Sequence, residues 1–201
     1  MEIVEISDFK TKKVKISFDN GIALVLYKSD LCKYDLSIGE VDEQKWSDLM
    51  ETLSKRALNR AVGLISGRDM TEGMLTDKLT GDGYPGDIVI KTVERMKNER
   101  LIDDNRYIKG YIESKSEKKS KNDIIRELSM KGIDSDKALA VYDELYNKGY
   151  IKDETTLIRE ILDKKHFFEG EVNYETSSKM IQYLLRKGFS FDSIHSAIKN
   201  E

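Results

Sequence analysis

The sequence predicts a mainly α protein built from three tandem three-helix repeats, preceded by a small N-terminal β-hairpin module. Three observations predict this. Apolar residues alternate with polar ones over residues 1–37, then fall at helical spacing from about Asp42. One proline in 201 residues, with abundant Lys, Glu, Leu and Ile, favours helix. A pattern of caps, apolar positions and glycines then recurs at offsets of 49 and 56 residues.

The strand module comes first. Val14, Ile16 and Phe18 alternate with polar residues up to Asp19-Asn20-Gly21, and Ile22, Leu24 and Leu26 follow. Period-2 runs on either side of Asn-Gly read as a hairpin, because that pair tolerates the positive φ of a tight turn. With Ile3, Val4 and Ile6 ahead of it, the module has three strands within residues 1–41. From Asp42 the period changes. Trp46, Leu49, Met50, Leu53, Ala57, Ala61, Leu64 and Ile65 share one face of a long helix that ends near Gly67.

The repeat accounts for the rest. Gly83, Gly132 and Gly188 align, and twelve residues before them stand the N-cap candidates Thr71, Ser120 and Thr176. Leu75, Ile124 and Met180, then Leu79, Leu128 and Leu184, occupy the apolar positions between. After each glycine comes an apolar residue (Tyr84, Ile133, Phe189), and then Asp87, Asp136 and Asp192 as caps of a second helix. The glycine ends the first helix in the left-handed conformation that other residues adopt only at a cost. A further helix precedes each pair: the tail of the long helix, then Asp104 to about Lys118, then Asp153 to about Lys165, with Asp104 and Asp153 as caps. The third unit carries a longer inner loop, His166–Tyr174. The resulting division is a β module at 1–41, the long helix and first repeat at 42–102, and further repeats at 103–151 and 152–201.

Several function classes are excluded at this level. No apolar run approaches the ~18 residues of a membrane span, and the N-terminus lacks a signal-peptide layout. Cys32, the only cysteine, cannot form an internal disulfide. The expectation is a soluble, cytoplasmic protein. Gly81-Asp82-Gly83-Tyr84-Pro85-Gly86 matches G-x-G-x-x-G, but that pattern binds dinucleotides only after a strand, and here it follows helical spacing. His166 and His195 lack partners at metal-ligand spacing, and His195 reads as a packed helix residue. Asp103-Asp104 reads as a cap with a macrodipole partner. Tyr107 and Tyr111, one turn apart, read as core in preference to a base-stacking pair. No catalytic constellation, cofactor site or metal site emerges.

Charge supplies the functional candidates. The net charge of −3 conceals blocks of alternating sign: acidic over 1–53, basic over 54–68, acidic over 69–104, basic over 106–131, acidic over 132–201. Two basic blocks on a mildly acidic body suit a partner with both protein and phosphate surfaces better than naked duplex, which draws an overall basic protein. The bland alternative is a set of solvated helix faces. The first block holds Arg56, Arg60 and Arg68; the second holds Arg106, Lys109, Lys115, Lys118, Lys119, Lys121, Arg126 and Lys131. Lys118–Lys121 sit at a helix–helix junction, where ammonium groups and the free amides of the next helix together suit a phosphate or carboxylate.

Three stretches carry a family resemblance. They are Arg68-x-x-Thr71-Glu72-x-Met74-Leu75-x-x-Lys78-Leu79-x-x-x-Gly83-Tyr84, then Leu101-Ile102-Asp103-Asp104-Asn105-Arg106-Tyr107, then Ile124-Ile125-x-Glu127-Leu128-x-x-Lys131-Gly132-Ile133. Together they resemble the RecX regulatory proteins over about residues 55–200, and the strand-rich N-terminus is similar to that of longer members. Tyr107 replaces a usual phenylalanine, Met74 a frequent leucine, and Lys118-Lys119 a common glycine. The resemblance implies an elongated curved array of repeats. It also implies a non-enzymatic regulator of the RecA recombinase that lies in the groove of the RecA–DNA filament. There it would inhibit filament growth, ATP hydrolysis and strand exchange, with weak direct DNA contact in some members. The absence of a long heptad seam predicts a monomer. Two alternatives stand beside this reading: an autonomous DNA-binding helical protein, motivated by the 106–131 block, and a nucleotide-using enzyme, motivated only by Gly81–Gly86.

Overall fold

The computed structural model describes residues 1–169 and 173–199. Among them the chain is mostly helical, with one small antiparallel sheet at the N-terminus. It forms two compact units, Met1–Asp103 and Asp104–Glu201.

In the first unit β2 (Lys13–Phe18) and β3 (Ala23–Tyr27) form the expected hairpin, and β1 (Glu2–Lys10) pairs antiparallel with β2 to complete a meander. Gly21 takes φ +82° in the turn, and Asn20 Oδ1 accepts from the Ile22 amide at 3.1 Å. Two elements add to the three-strand expectation. A two-residue strand, β4 (Gly39–Glu40), pairs with β1 and makes the order β3-β2-β1-β4. Between β3 and β4 lies a short helix, α1 (Lys28–Lys33), which carries the exposed Cys32. Six residues are too few for a helical period to show against the alternation around them.

The long helix α2 (Glu43–Ile65) starts where Asp42 accepts from the Lys45 amide at 2.8 Å. Its apolar stripe serves two cores. Leu49 and Leu53 are buried against Ile16, Phe18 and Leu24 of the sheet, and each such burial contributes roughly 1.5–3 kcal/mol. Trp46 meets Phe18 edge-on, with centroids 5.3 Å apart. One turn further on, Ala57 and Ala61 are fully buried, and their small side chains leave room for the following helices. These are α3 (Glu72–Gly81) and α4 (Gly86–Asn98), whose Leu75, Leu79, Val89, Val93 and Met96 close a second core with Ala61.

The second unit holds two three-helix bundles. The first is α5 (Asp104–Lys115), α6 (Lys121–Ser129) and α7 (Ser135–Asn147); the second is α8 (Glu154–Lys164), α9 (Tyr174–Arg186) and α10 (Phe191–Lys199). Each has its own core, one around Ile108, Ile112, Ile124 and Leu128, the other around Ile158, Leu162, Leu184 and Ile194.

The glycine stops behave as expected: φ is +91° at Gly83, +79° at Gly132 and +81° at Gly188. The caps need correction. Thr71 and Ser120 cap α3 and α6 through the Met74 and Asp123 amides. In the third repeat Asn173 caps α9, and Thr176 is its capping-box partner, accepting from the Asn173 amide at 3.0 Å. After each glycine the helix restarts two residues earlier than expected. The N-cap positions are Pro85, Asp134 and Ser190, where Ser190 Oγ accepts from the Ser193 amide. Asp87, Asp136 and Asp192 instead lie in the first turn, where a carboxylate favours the positive end of the helix dipole. Asp153 does cap α8, but Asp104 is the first residue inside α5, so the helix register between these repeats is 50 and not 49. Helix α5 stops at Lys115 and not near Lys118. The long third loop falls partly outside the described residues.

Two of the glycine turns also make close contacts. At Gly188 an added Cβ would stand 2.7 Å from Ser120 Oγ and 3.0 Å from Asp123 Oδ1. Ser120 Oγ donates to the Lys187 carbonyl at 2.8 Å, and the Asn122 side-chain amide donates to the Gly188 carbonyl at 2.9 Å. The third repeat's turn thus seats on the start of α6 in the second. At Gly83 an added Cβ would fall 2.3 Å from Val25 Cγ2, and the Val25 amide points at the Gly83 carbonyl, 3.4 Å away. In the first unit, strand β3 therefore occupies the place against a repeat's turn that the preceding repeat occupies in the second.

Candidate interaction surface

The two basic blocks meet different fates. Arg56 is an internal group: its guanidinium makes a two-pronged pair with Asp30 of α1, at 2.5 and 2.8 Å, and lies over the Tyr27 ring. Asp30 is 1% exposed. Burial raises its carboxyl, but the Arg56 hydrogen bonds, the Tyr27 amide and the Arg56 charge outweigh burial and hold it below the ordinary carboxylate value. Arg60 is committed to Asp82 at the end of α3, Nε to Oδ2 at 2.7 Å. Arg68 stands exposed between α2 and α3, without an ion pair among the described residues.

In the second block, Arg106 and Lys109 lie exposed on α5, and Lys109 stands 3.6 Å from Glu144 of α7. Lys115, Lys119 and Lys131 gather around Tyr111 and Glu127. The Tyr111 hydroxyl donates to Glu127 Oε2 at 2.6 Å, Lys119 pairs with Oε1, and the Lys115 and Lys131 ammonium groups stand 5.9 and 5.5 Å from the ring centre. Lys119 and Tyr111 hold the Glu127 carboxyl below its usual range, while burial and the Glu127 bond push the Tyr111 hydroxyl up. Lys121 reaches Asp143 at 2.8 Å, and Arg126 reaches Asp123 at 2.8 Å. Lys118 is exposed, without an ion pair among the described residues. The junction does bind a carboxylate as its amides suggest, but an internal one: the Lys121 amide donates to Glu154 Oε1 at 2.6 Å, and Ser193 Oγ reaches Glu154 Oε2 at 3.4 Å.

Sequence reasoning passed over a further basic group. Lys164 and Lys165 at the end of α8 and Lys187 after α9 join Lys118 along a groove of about 390 Å³ beside Tyr183. The Lys165 and Lys187 ammonium groups stand 4.5 and 5.3 Å from the Tyr183 ring centre. The repeat alignment holds the signal that finds them, since Lys187 precedes Gly188 as Lys131 precedes Gly132.

The other candidates are quickly placed. Gly81 ends a helix and Gly83 is pressed on Val25, so the G-x-G-x-x-G stretch joins two helices with no strand before it. His195 is exposed, contrary to the packed reading, with its ring 5.8 Å from that of Phe191. Tyr107 and Tyr111 stack at 6.0 Å and pack against the second repeat's core. No group of three or more His, Cys, Asp or Glu among the described residues is arranged to hold a metal. No helix among them is long and apolar enough to cross a membrane.

Comparison with known proteins matches this architecture. The family model for the first three-helix domain of RecX matches residues 57–96, and that for the third matches residues 152–198. A regulatory protein RecX of Finegoldia magna is 30% identical over 94% of this chain and 93% of its own length. The chain belongs to the RecX family. A RecX of Clostridium perfringens is 25% identical over 98% of this chain and 93% of its own. A crystal structure of a regulatory protein RecX shares the fold at a TM-score of 0.65, with 22% identity, over 100% of this chain and 99% of that one. The RecX of Lactobacillus salivarius shares it at 0.65, with 24% identity, over 74% of this chain and 96% of its own. The RecX proteins are regulatory proteins, and the described residues assemble the family's three-helix units behind a strand module.

Proposed function

We propose that this chain is a non-enzymatic regulator of the RecA recombinase, binding the RecA–DNA filament in the cytoplasm as a monomer and restraining its growth, ATP hydrolysis and strand exchange. Membership of the RecX family carries this reading. The chemistry of the surface supports it. Acidic and basic blocks alternate along the chain, as suits a filament with protein walls around phosphates. In this reading the division at 42–102, 103–151 and 152–201 marks the units that engage the filament. Arg68 and Lys118 lie exposed to meet it, as do Arg106 and Lys109, the latter beside Glu144. Arg60, Lys115, Lys119, Lys121, Arg126 and Lys131 act at shorter range, from positions shared with internal partners. Any direct contact with DNA is weak and secondary to contact with the recombinase.

Retention on RecA-coated single-stranded DNA tests the surface. The wild-type chain is retained, and reversing Lys118, Lys119 and Lys121 together reduces retention at least fivefold while retention on bare DNA stays low. Unchanged retention of the reversed variant would return this block to the role of a solvated helix face.

A further inference from the structure

The second and third repeats carry the same pair of lysines around a tyrosine, but only one pair has its carboxylate. In the second repeat Lys115 and Lys131 flank Tyr111, and Glu127 sits among them, bound by the Tyr111 hydroxyl and by Lys119. The helix registers of 50 and 56 place Lys165 and Lys187 at the equivalent positions of the third repeat. There the position of Glu127 is taken by Tyr183, and that of Tyr111 by Ile161. The exchange keeps the lysines and the tyrosine but deletes the acid.

The rest of the third-repeat groove does not replace it. Lys164 and Lys118 add two more ammonium groups to the lining. Glu160, also in the lining, is engaged by Lys152 at 2.8 Å. Glu117 also lines the groove, yet Lys118, Lys164, Lys165 and Lys187 have no ion pair among the described residues. The Tyr183 hydroxyl has no hydrogen bond among them either. Four ammonium groups and a phenol thus converge on about 390 Å³ of open groove, where the position of the second repeat's Glu127 carries no acid.

We propose that this groove binds carboxylates of an acidic segment on a protein partner, with Lys165 and Lys187 as the charge contacts, Tyr183 as a hydroxyl donor, and Lys118 and Lys164 at the rim. The second repeat supplies the chemistry, because the equivalent cluster holds a glutamate. Two features favour an acidic peptide over nucleic acid. No arginine lines the groove to grip a phosphate in two-pronged fashion. The Tyr183 ring already has ammonium groups over it at 4.5 and 5.3 Å, so it is not free to stack on a base. The inference rests on the filament reading only for who supplies the acidic segment, and its test needs no filament.

The full chain is titrated at low salt into a fluorescein-labelled ten-residue oligoglutamate, and separately into a labelled single-stranded oligothymidylate. Peptide anisotropy rises with wild type. Lys165→Glu with Lys187→Glu weakens peptide binding at least tenfold, Tyr183→Phe about threefold, and Lys91→Glu on α4, a control for overall charge, less than twofold. The lysines are exposed, so an unchanged circular dichroism melting curve accompanies the loss. No peptide binding by wild type, or an equal loss in the Lys91→Glu control, overturns the proposal. So does oligothymidylate binding more tightly than the peptide through Lys165 and Lys187, which would make the groove a nucleic-acid site. Loss of peptide binding with intact action on RecA would leave the regulator reading standing.

Discussion

Replacing Asp30 by alanine lowers stability by about 3 kcal/mol, the low end of the range for breaking a buried ion pair, because Arg56 keeps some access to water. For a chain of 201 residues this corresponds to a fall of about 6–12 °C in the thermal midpoint. The loss comes from stranding the Arg56 guanidinium, so pairing Asp30→Leu with Arg56→Met recovers most of it. The pH dependence has a definite sign. The Asp30 carboxyl is held below its ordinary 3.8, so its contribution is fully present above that value and is lost as pH falls through the lower, folded value. The stability gap between wild type and Asp30→Asn, measured by urea unfolding, is therefore constant above about pH 5 and narrows in acid. A gap that widens on acidification would contradict this account of the pair.

Gly83→Ala lowers stability by about 2–5 kcal/mol, the sum of a left-handed backbone and a side-chain collision. At φ +91° an alanine is strained wherever it stands, and here its Cβ would also meet Val25 Cγ2 at 2.3 Å and Val25 Cβ at 2.4 Å. Gly21 is the internal control. Its φ of +82° is similar and nothing lies within 4 Å of an added Cβ, so Gly21→Ala should cost only the backbone part, about 1–2 kcal/mol. Equal losses for the two variants in chemical denaturation would show that β3 does not press on the first repeat's turn.

The repeat was legible because its signals are local and few residue types can provide them. A helix that must turn back within two residues needs a left-handed position, and Gly83, Gly132 and Gly188 stand there with φ between +79° and +91°. The second-helix caps were misplaced because an aspartate is at home both at the N-cap and in the first turn. The choice is made by how soon the chain can re-enter a helix after the glycine, and Pro85, Asp134 and Ser190 do so two residues earlier. Arg56 looked like one more surface cation. Its true place follows from helical geometry, three residues after the buried Leu53 and beside Ala57, but its partner sits on a six-residue helix that no periodicity announces. The lysine groove was hidden for a different reason. Lys118, Lys164 and Lys187 come from three separate segments, and only the packing of the second and third repeats brings them to one groove.

ATP turnover by RecA on single-stranded DNA, followed while the purified chain is added, bears most directly on the regulator reading. Hydrolysis falls at fewer chains than RecA protomers if the repeats engage the filament and restrain its growth. Turnover that stays level up to an equimolar ratio, under conditions where the chain is folded, would contradict that reading.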